Sequence, residues 1–379
     1  MAFEKQTLNL KGDTPGATTE MSVFRIGPPD AADKIVLQAA LHADELPGVM
    51  VLHHLLPMLA EADGRGLLRA RFVVIPFANP FGMANFTHRH HIGRSDPNTG
   101  VNYNRQWPDL FAHIRTQLAG RLSDEERFNV NLVRKAVSNW LDLQHPRTAA
   151  EELRLFLLRE AHDAAFVFDL HCDSDSLIHI FTSPELMPGL QDLADWMGAA
   201  AVLTSADSGG NSFDEVLPLL YRKVAQTNPG KPVPIATQTA TLEYRGLADV
   251  YDAYGEQDAV RLFSFFAGRG LIDMKPSPRP EATAAPTPLE ATDIVRAPGP
   301  GLVAFRVDLG QRVQKGEAIA DLIALDGPEA FVARTQLVSG TDGLVLSRTL
   351  FKYVTRGANI AKIVGTQPLP SRKGYLLED

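Results

Sequence analysis

The stretch Lys34-Ile-Val-Leu-Gln-Ala-Ala-Leu-His-Ala-Asp-Glu-Leu-Pro-Gly48 decides the fold. Its first half, Lys34 to Leu41, is a short, mostly apolar run, as expected of a strand buried on both faces. A helix follows from Leu46, with Pro47 in its first turn, where a missing N–H costs nothing. Between strand and helix lie His42 and Glu45, an H-x-x-E element just past the carboxyl end of the strand. Open α/β sheets bind their ligands outside the carboxyl ends of the strands, so one segment locates both the fold and a candidate site.

Further strands are predicted over Arg71–Pro76, Ala165–Leu170, Ala199–Leu203 and Ile235–Leu242, with helical segments between them. This alternation predicts an α/β fold: a mixed, mostly parallel sheet flanked by helices. Residues 109–162 form a helical insertion. Within it, Ser123-Asp-Glu-Glu126 and Thr148-Ala-Ala-Glu151 fit capping boxes, and Phe128, Leu132, Val133, Val137, Trp140 and Leu141 recur at helical spacing. An apolar stripe of this kind is usually core, which favours a structural helical pair over a lid.

The clearest boundary is the Pro- and Ala-rich stretch 275–292, read as an extended linker after a first domain of residues 1–274. Residues 293–379 change texture. Gly301-Leu-Val-Ala-Phe-Arg-Val-Asp-Leu-Gly310 and Gly343-Leu-Val-Leu-Ser alternate apolar and polar residues between glycines, which predicts a small all-β domain. That domain resembles the barrel-sandwich fold of biotinyl and lipoyl carrier domains. The stretch Leu325-Asp-Gly-Pro-Glu-Ala-Phe331, at the place of the carrier hairpin tip, has no lysine. No biotin or lipoate is therefore expected, and the domain is assigned a structural, oligomer-forming or pocket-shaping role.

The 379 residues carry a net charge of −8, with no Lys/Arg-rich run, which argues against nucleic acid as a partner. No apolar run approaches the ~18 residues of a membrane span, and the first residues lack the apolar core of a signal peptide. The only cysteine, Cys172, excludes an intrachain disulfide, and the cytoplasm is the expected location.

Polar residues fall at the carboxyl ends of four predicted strands: His42 with Glu45, Asn79-Pro80, His171 and Glu243. Two histidines and one carboxylate make a catalytic zinc set, leaving a coordination position for water. Another carboxylate must then move the water's proton to the leaving group. Thr237, Thr239, Thr241 and Glu243 share one strand face, and Asp169 shares a face with His171, where it can steady that ring.

The ordered set His42-x-x-Glu45-x-x-Gly48, Asn79-Pro80-x-Gly82, Asn104-Arg105, Asp169-x-His171 and Thr241-x-Glu243 resembles the succinylglutamate desuccinylase/aspartoacylase family, related to the zinc carboxypeptidases, over roughly residues 30–270. The resemblance implies a zinc-carboxypeptidase-like fold and one Zn2+ per chain on His42, Glu45 and His171, with Glu243 as general base. It implies Asn104 and Arg105 as the grip on a substrate carboxylate. It also implies an upstream arginine that polarises the scissile carbonyl: Arg94, with Arg89 as the alternative. Many family members have Gly-Asn where this chain has Ala43-Asp44.

The expected function is removal of an acyl group from a small-molecule N-acyl amino acid. A zinc carboxypeptidase acting on short peptides would use the same residues. A non-catalytic metal-dependent binding protein is the reading from another class. A homo-oligomer is compatible with each.

Overall fold

The structure is a computed structural model that describes residues 3–281, 284–328 and 330–377. The first part holds β1 (Phe3–Lys11), β2 (Thr18–Ile26), β3 (Lys34–Ala39), α1 (Pro47–Gly64), β4 (Arg71–Ile75), α2 (Pro80–Met83), β5 (Phe86–Thr87) and β6 (His90–His91). Then come α3 (Leu110–Leu118), α4 (Glu126–Asp142), α5 (Ala149–Ala161), β7 (Phe166–Asp173), β8 (Asp175–Ser176), β9 (His179–Thr182), α6 (Met187–Met197), β10 (Ala201–Thr204), α7 (Phe213–Thr227), β11 (Gln238–Gly246) and α8 (Asp252–Gly268). Beyond them lie β12 (Pro286–Pro288), β13 (Thr292–Arg296), β14 (Gly301–Phe305), β15 (Arg312–Val313), β16 (Ala318–Ile323), β17 (Arg334–Val338), β18 (Gly343–Arg348), β19 (Tyr353–Val354) and β20 (Asn359–Val364).

Nine strands form one sheet in the order β1-β2-β4-β3-β7-β11-β9-β10-β12. Its centre, β4-β3-β7-β11, is parallel, whereas β1, β2 and β9 bring antiparallel pairings. The two-residue period of the strands builds both faces. Ile35, Leu37, Phe72, Val74, Phe166 and Phe168 point into a core shared with α1, α6 and α8. Val36, Val73, Ile75 and Val167 point into the opposite core, shared with α3, α4, α5 and α7. The insertion's apolar stripe is part of that second core, as Leu132, Val133, Val137 and Leu141 are buried there. Thr148 caps α5 as expected, accepting from the Glu151 N–H at 3.1 Å. The first capping box does not form: Ser123 Oγ accepts from the Glu125 N–H instead, and α4 starts at Glu126.

Two strands run further than the apolar pattern suggests. β7 continues through His171 to Asp173, and β11 through Glu243 to Gly246, so both functional candidates lie within strands rather than after them. The large sheet also reaches into the stretch read as a free linker. β12 pairs in parallel with β10, and Leu289 and Ala291 are buried. Ala282 and Thr283 of that stretch lie outside the described residues.

The C-terminal strands form two antiparallel sheets, β13-β20-β18-β15 and β17-β16-β14-β19, with Val303, Ile319, Val345, Ile360 and Ile363 buried between them. They make a sandwich; among the described residues no closed barrel forms. One of these sheets takes its fifth strand, β8, from the first part of the chain, through the pairs Ser347↔Ser176 and Arg348↔Asp175. Of the segment Leu325 to Phe331, Glu329 lies outside the described residues. No helix among the described residues is long and apolar enough to cross a membrane.

Candidate functional site

The chain leaves β3 through Ala40 at a left-handed φ of 56°. Asn79 then anchors the backbone just before His42. Its Nδ2 donates to the Leu41 carbonyl at 3.0 Å while its Oδ1 caps α2 by accepting from the Gly82 N–H at 2.9 Å. His42 therefore starts from a held backbone. Gly48 lets α1 lie close on β7, because a Cβ there would come within 2.7 Å of Leu170 Cβ. That approach brings Glu45 to His171.

His42, Glu45 and His171 are buried together, and their ligand atoms lie within 4.8 Å of one another. His42 Nδ1 stands 2.9 Å from Glu45 Oε1, and His171 Nδ1 stands 2.7 Å from Glu45 Oε2. The far side of each ring is also occupied. His42 Nε2 lies 2.7 Å from Asn102 Oδ1, an oxygen that also accepts from the Asn104 N–H at 2.8 Å. His171 Nε2 lies 2.9 Å from Asp169 Oδ2, an ion-pair contact off hydrogen-bond alignment. Asn102 Oδ1 can only accept, so His42 carries its proton on Nε2 and turns an Nδ1 lone pair toward Glu45. A lone pair turned onto a buried carboxylate needs a positive charge beside it, and the donor set of His42, Glu45 and His171 fits a metal ion. Arg94 answers part of the need by donating from Nη1 to Glu45 Oε1 at 3.0 Å.

Electrostatics follow the same geometry. Burial and the nearby Arg94 guanidinium push His42 down to about 4, so it is neutral at neutral pH, the form a ligand requires. Glu45 is buried, but the two histidines outweigh that cost and hold its carboxyl well below the ordinary range. Burial also lowers His171, yet Asp169 and Glu45 prevail and raise it.

Glu243 and His171 are neighbours across the β7–β11 ladder. Burial, then the Glu45 charge, push the Glu243 carboxyl up to about 8, and its Oε2 has no hydrogen-bond partner. Glu243 lines the same cavity of about 420 Å³ as His42, Glu45, His171, Arg94, Asn104 and Arg105. Arg89 is exposed on the β5–β6 turn and does not line it. Of the nearby histidines, His91 stacks on Phe86 and bonds the Gly82 carbonyl, while His54 reaches Asp252.

Asn104 and Arg105 are held from several sides. Asn104 Oδ1 accepts from the Phe213 N–H at 2.8 Å. Arg105 Nη1 donates to the Asn104 carbonyl at 2.9 Å, and Arg154 of α5 donates to the Arg105 carbonyl at 3.1 Å. The helical insertion thus braces the loop that carries the pair.

Several residues around the site were not singled out by sequence reasoning. Asn102 had a usable signal, since a ligating histidine needs a partner on its other nitrogen and Asn102 stands two residues before Asn104. Asp214, buried at the start of α7, had none. Burial and Glu215 push its carboxyl up to about 7, and Ser212 Oγ donates to it at 2.7 Å. Further contributors come from beyond residue 340. Tyr375 OH accepts from Arg105 Nε at 3.0 Å, Lys362 Nζ donates to Asp173 at 2.6 Å, and Arg348 and Phe351 line the cavity.

Residues 31–210 match the family model described as the succinylglutamate desuccinylase/aspartoacylase catalytic domain. The family resemblance carried by the ordered motifs holds over that segment, which includes His42, Glu45, Arg94, Asn104, Arg105 and His171 and stops before Glu243. The fold is that of a protein from Shewanella frigidimarina named for the same family, at 21% identity and TM-score 0.82, over 96% of this chain and 97% of that one. A family protein from Shewanella amazonensis is similar at 22% identity and TM-score 0.81, over 95% and 98%. The product-bound ectoine utilization protein EutE (DoeB) of Ruegeria pomeroyi is similar at 16% identity and TM-score 0.64, over 96% and 95%. No curated protein matches the sequence.

Proposed function

We propose that the protein is a zinc-dependent amidohydrolase that removes the acyl group from an N-acyl amino acid. The observation that carries this reading is the pair of imidazole Nδ1 atoms turned onto the buried Glu45, each ring backed by its own partner, with Glu243 in the same cavity. His42, Glu45 and His171 would hold one Zn2+. When bound, the ion would supply Lewis acidity to a water and a carbonyl oxygen, and its positive charge would oppose the burial and the Glu45 charge that raise the Glu243 carboxyl.

The chain's own residues do the rest. Arg105, with Asn104 beside it, binds the free carboxylate of the amino acid and sets the amide against the ligand cluster. Arg94, next to Glu45, stands where negative charge develops on the carbonyl oxygen. Glu243 takes the proton of the attacking water and returns it to the leaving nitrogen. In this reading residues 1–274 are the hydrolase domain, 275–292 the connection and 293–379 a β domain that shapes the pocket. The single buried cysteine suits a reducing compartment such as the cytoplasm.

The test combines metal content with a substrate panel. Elemental analysis of the wild type should give one zinc-class ion per chain, and His171→Ala should take up none. N-acetyl amino acids should be cleaved in preference to dipeptides. A wild type that prefers dipeptides is a carboxypeptidase, and full metal content in His171→Ala overturns the ligand assignment.

A further inference from the structure

Among the carboxylates that line the cavity, Asp173 and Glu243 come from the ends of the neighbouring strands β7 and β11, and Glu45 from the loop between β3 and α1. Each is drawn out of bulk water, and carboxylates this near one another raise each other's cost of ionisation. Arg94 answers Glu45 locally. Asp173, two residues beyond His171, is answered from 189 residues away. Lys362 of β20 donates from Nζ to Asp173 Oδ2 at 2.6 Å, with both side chains less than one-fifth exposed. Asp173 Oδ1 accepts from the Ser174 N–H at 2.7 Å. Among the described residues no other cation is within ion-pair distance of Asp173.

The contact belongs to a larger grip on the segment 173–177. Arg348 holds Asp175 through Nε and Nη2 at 3.2 and 3.0 Å. The Leu350 N–H donates to Ser174 Oγ at 2.8 Å, and the Leu177 N–H to the Leu346 carbonyl at 3.1 Å. The same segment presses on the end of β11. The Leu247 N–H donates to the Ser174 carbonyl at 3.0 Å, and a Cβ on Gly246 would come within 2.9 Å of Asp175 Cα. The β7–β11 register shifts between Glu243 and Gly246, at the place where this segment crosses over. The C-terminal strands, the end of β7 and the end of β11 are therefore one mechanical unit, with the Lys362–Asp173 pair at its centre.

We propose that Lys362 is a positioning residue of the active site: by neutralising Asp173 it keeps the ends of β7 and β11, and with them His171 and Glu243, in their working arrangement. The inference rests on the reading of Glu243 as general base. It makes the C-terminal strands a working part of the site rather than an appended module.

The experiment is a charge-compensation cycle on the full-length, metal-loaded protein, with steady-state kinetics on an N-acetyl amino acid and metal content measured for every variant. Lys362→Met leaves Asp173 as an uncompensated charge, and kcat should fall at least about 30-fold with KM little changed. Lys362→Arg should stay within a few-fold of wild type. Asp173→Asn combined with Lys362→Met, which removes both charges, should recover most of the lost kcat. Metal content should stay at one ion per chain throughout. A double variant that is folded but no faster than Lys362→Met overturns the proposal, as does a Lys362→Met variant at wild-type rate. If Lys362→Met fails to fold, the arginine and double variants decide alone. Glu243→Gln is the control for the underlying reading. If it is active, that reading fails whatever Lys362 does; if it is inactive and Lys362→Met is fully active, only the present inference falls.

Discussion

The cavity has two walls of different origin. One is the carboxyl edge of the parallel strands, where His42 and Glu45 stand on the loop from β3 to α1, His171 on β7 and Glu243 on β11. The other is assembled from β18, β20 and Leu377 of the tail, with Tyr375 behind it on Arg105. The first wall holds the groups that would bind a metal and move a proton. The second holds cations and hydroxyls that touch those groups' neighbours: Lys362 on Asp173, Arg348 on Asp175, Tyr375 on Arg105. The chemistry is carried by local sequence, whereas its electrostatic support is carried by long-range contact. Damage to the first wall should abolish the reaction, and damage to the second should only weaken or redirect it.

The strongest break in that comparison is Glu243→Gln. The amide keeps the shape of the side chain but cannot take a proton, so turnover should fall by about 10²–10⁴-fold, the usual contribution of a general base. Metal content and substrate affinity should be retained. A variant with more than half the wild-type rate would move the base elsewhere in the cavity.

Next is the carboxylate grip. Arg105→Ala should lose about 2–5 kcal/mol of binding to the free acid, the usual cost of truncating one partner of a buried charge pair. The wild type should strongly prefer an N-acetyl amino acid over its carboxamide, and the variant should lose most of that preference. Equal use of acid and amide by the wild type would refute the carboxylate grip.

These two effects concern residues legible in the sequence, for a physical reason. A parallel strand buried on both faces is a near-continuous apolar run, so a polar residue at its end stands out, as His42 and Glu243 do. Even so, the apolar pattern stops three residues before β7 ends and four before β11 ends, because His171 and Glu243 are themselves part of the ladder. The strands β1, β2 and β9 escaped the βα alternation because they pair antiparallel and need no helical crossover. The C-terminal sandwich could be read as strands between glycines, but not where it docks. β8 is two residues long, and nothing local in Asp175-Ser176 announces a partner at Ser347 and Arg348. Lys362 is one alternating polar residue in β20 until its partner across the cavity is known.

A smaller effect tests the second wall directly. Tyr375→Phe removes the hydroxyl that accepts from Arg105 Nε. A hydrogen bond to a charged group contributes about 1.5–3 kcal/mol when buried and less at a half-exposed tyrosine, so KM should rise by less than about tenfold. kcat should hold, because Tyr375 touches the grip and not the cluster. A change in kcat with KM constant would place Tyr375 with the first wall instead.

The smallest effect concerns stability rather than rate, and it falls where the walls meet. Asp214 is buried at the start of α7 and lines the cavity beside Asn104 and Arg105. Its carboxyl stands at about 7 in the folded chain, against an ordinary value of 3.8, because burial and Glu215 both oppose its charge. The folded state therefore holds this proton over a range of pH in which the unfolded chain has already released it. Stability from this group is present below pH 3.8, declines as pH rises toward 7, and is absent above it. Asp214→Asn keeps an oxygen for the Ser212 hydroxyl, removes the titration, and so should flatten that decline. With metal removed by chelation, so that no ion's charge enters, the variant should melt about 2–4 °C above wild type at pH 8, and the gap should close by pH 4. Glu243 is raised for the same kind of reason, but it is present in both proteins and cancels from the difference. A gap that stays constant from pH 4 to pH 8 would show that Asp214 keeps its charge in the cavity, and with it a cation not supplied by either wall.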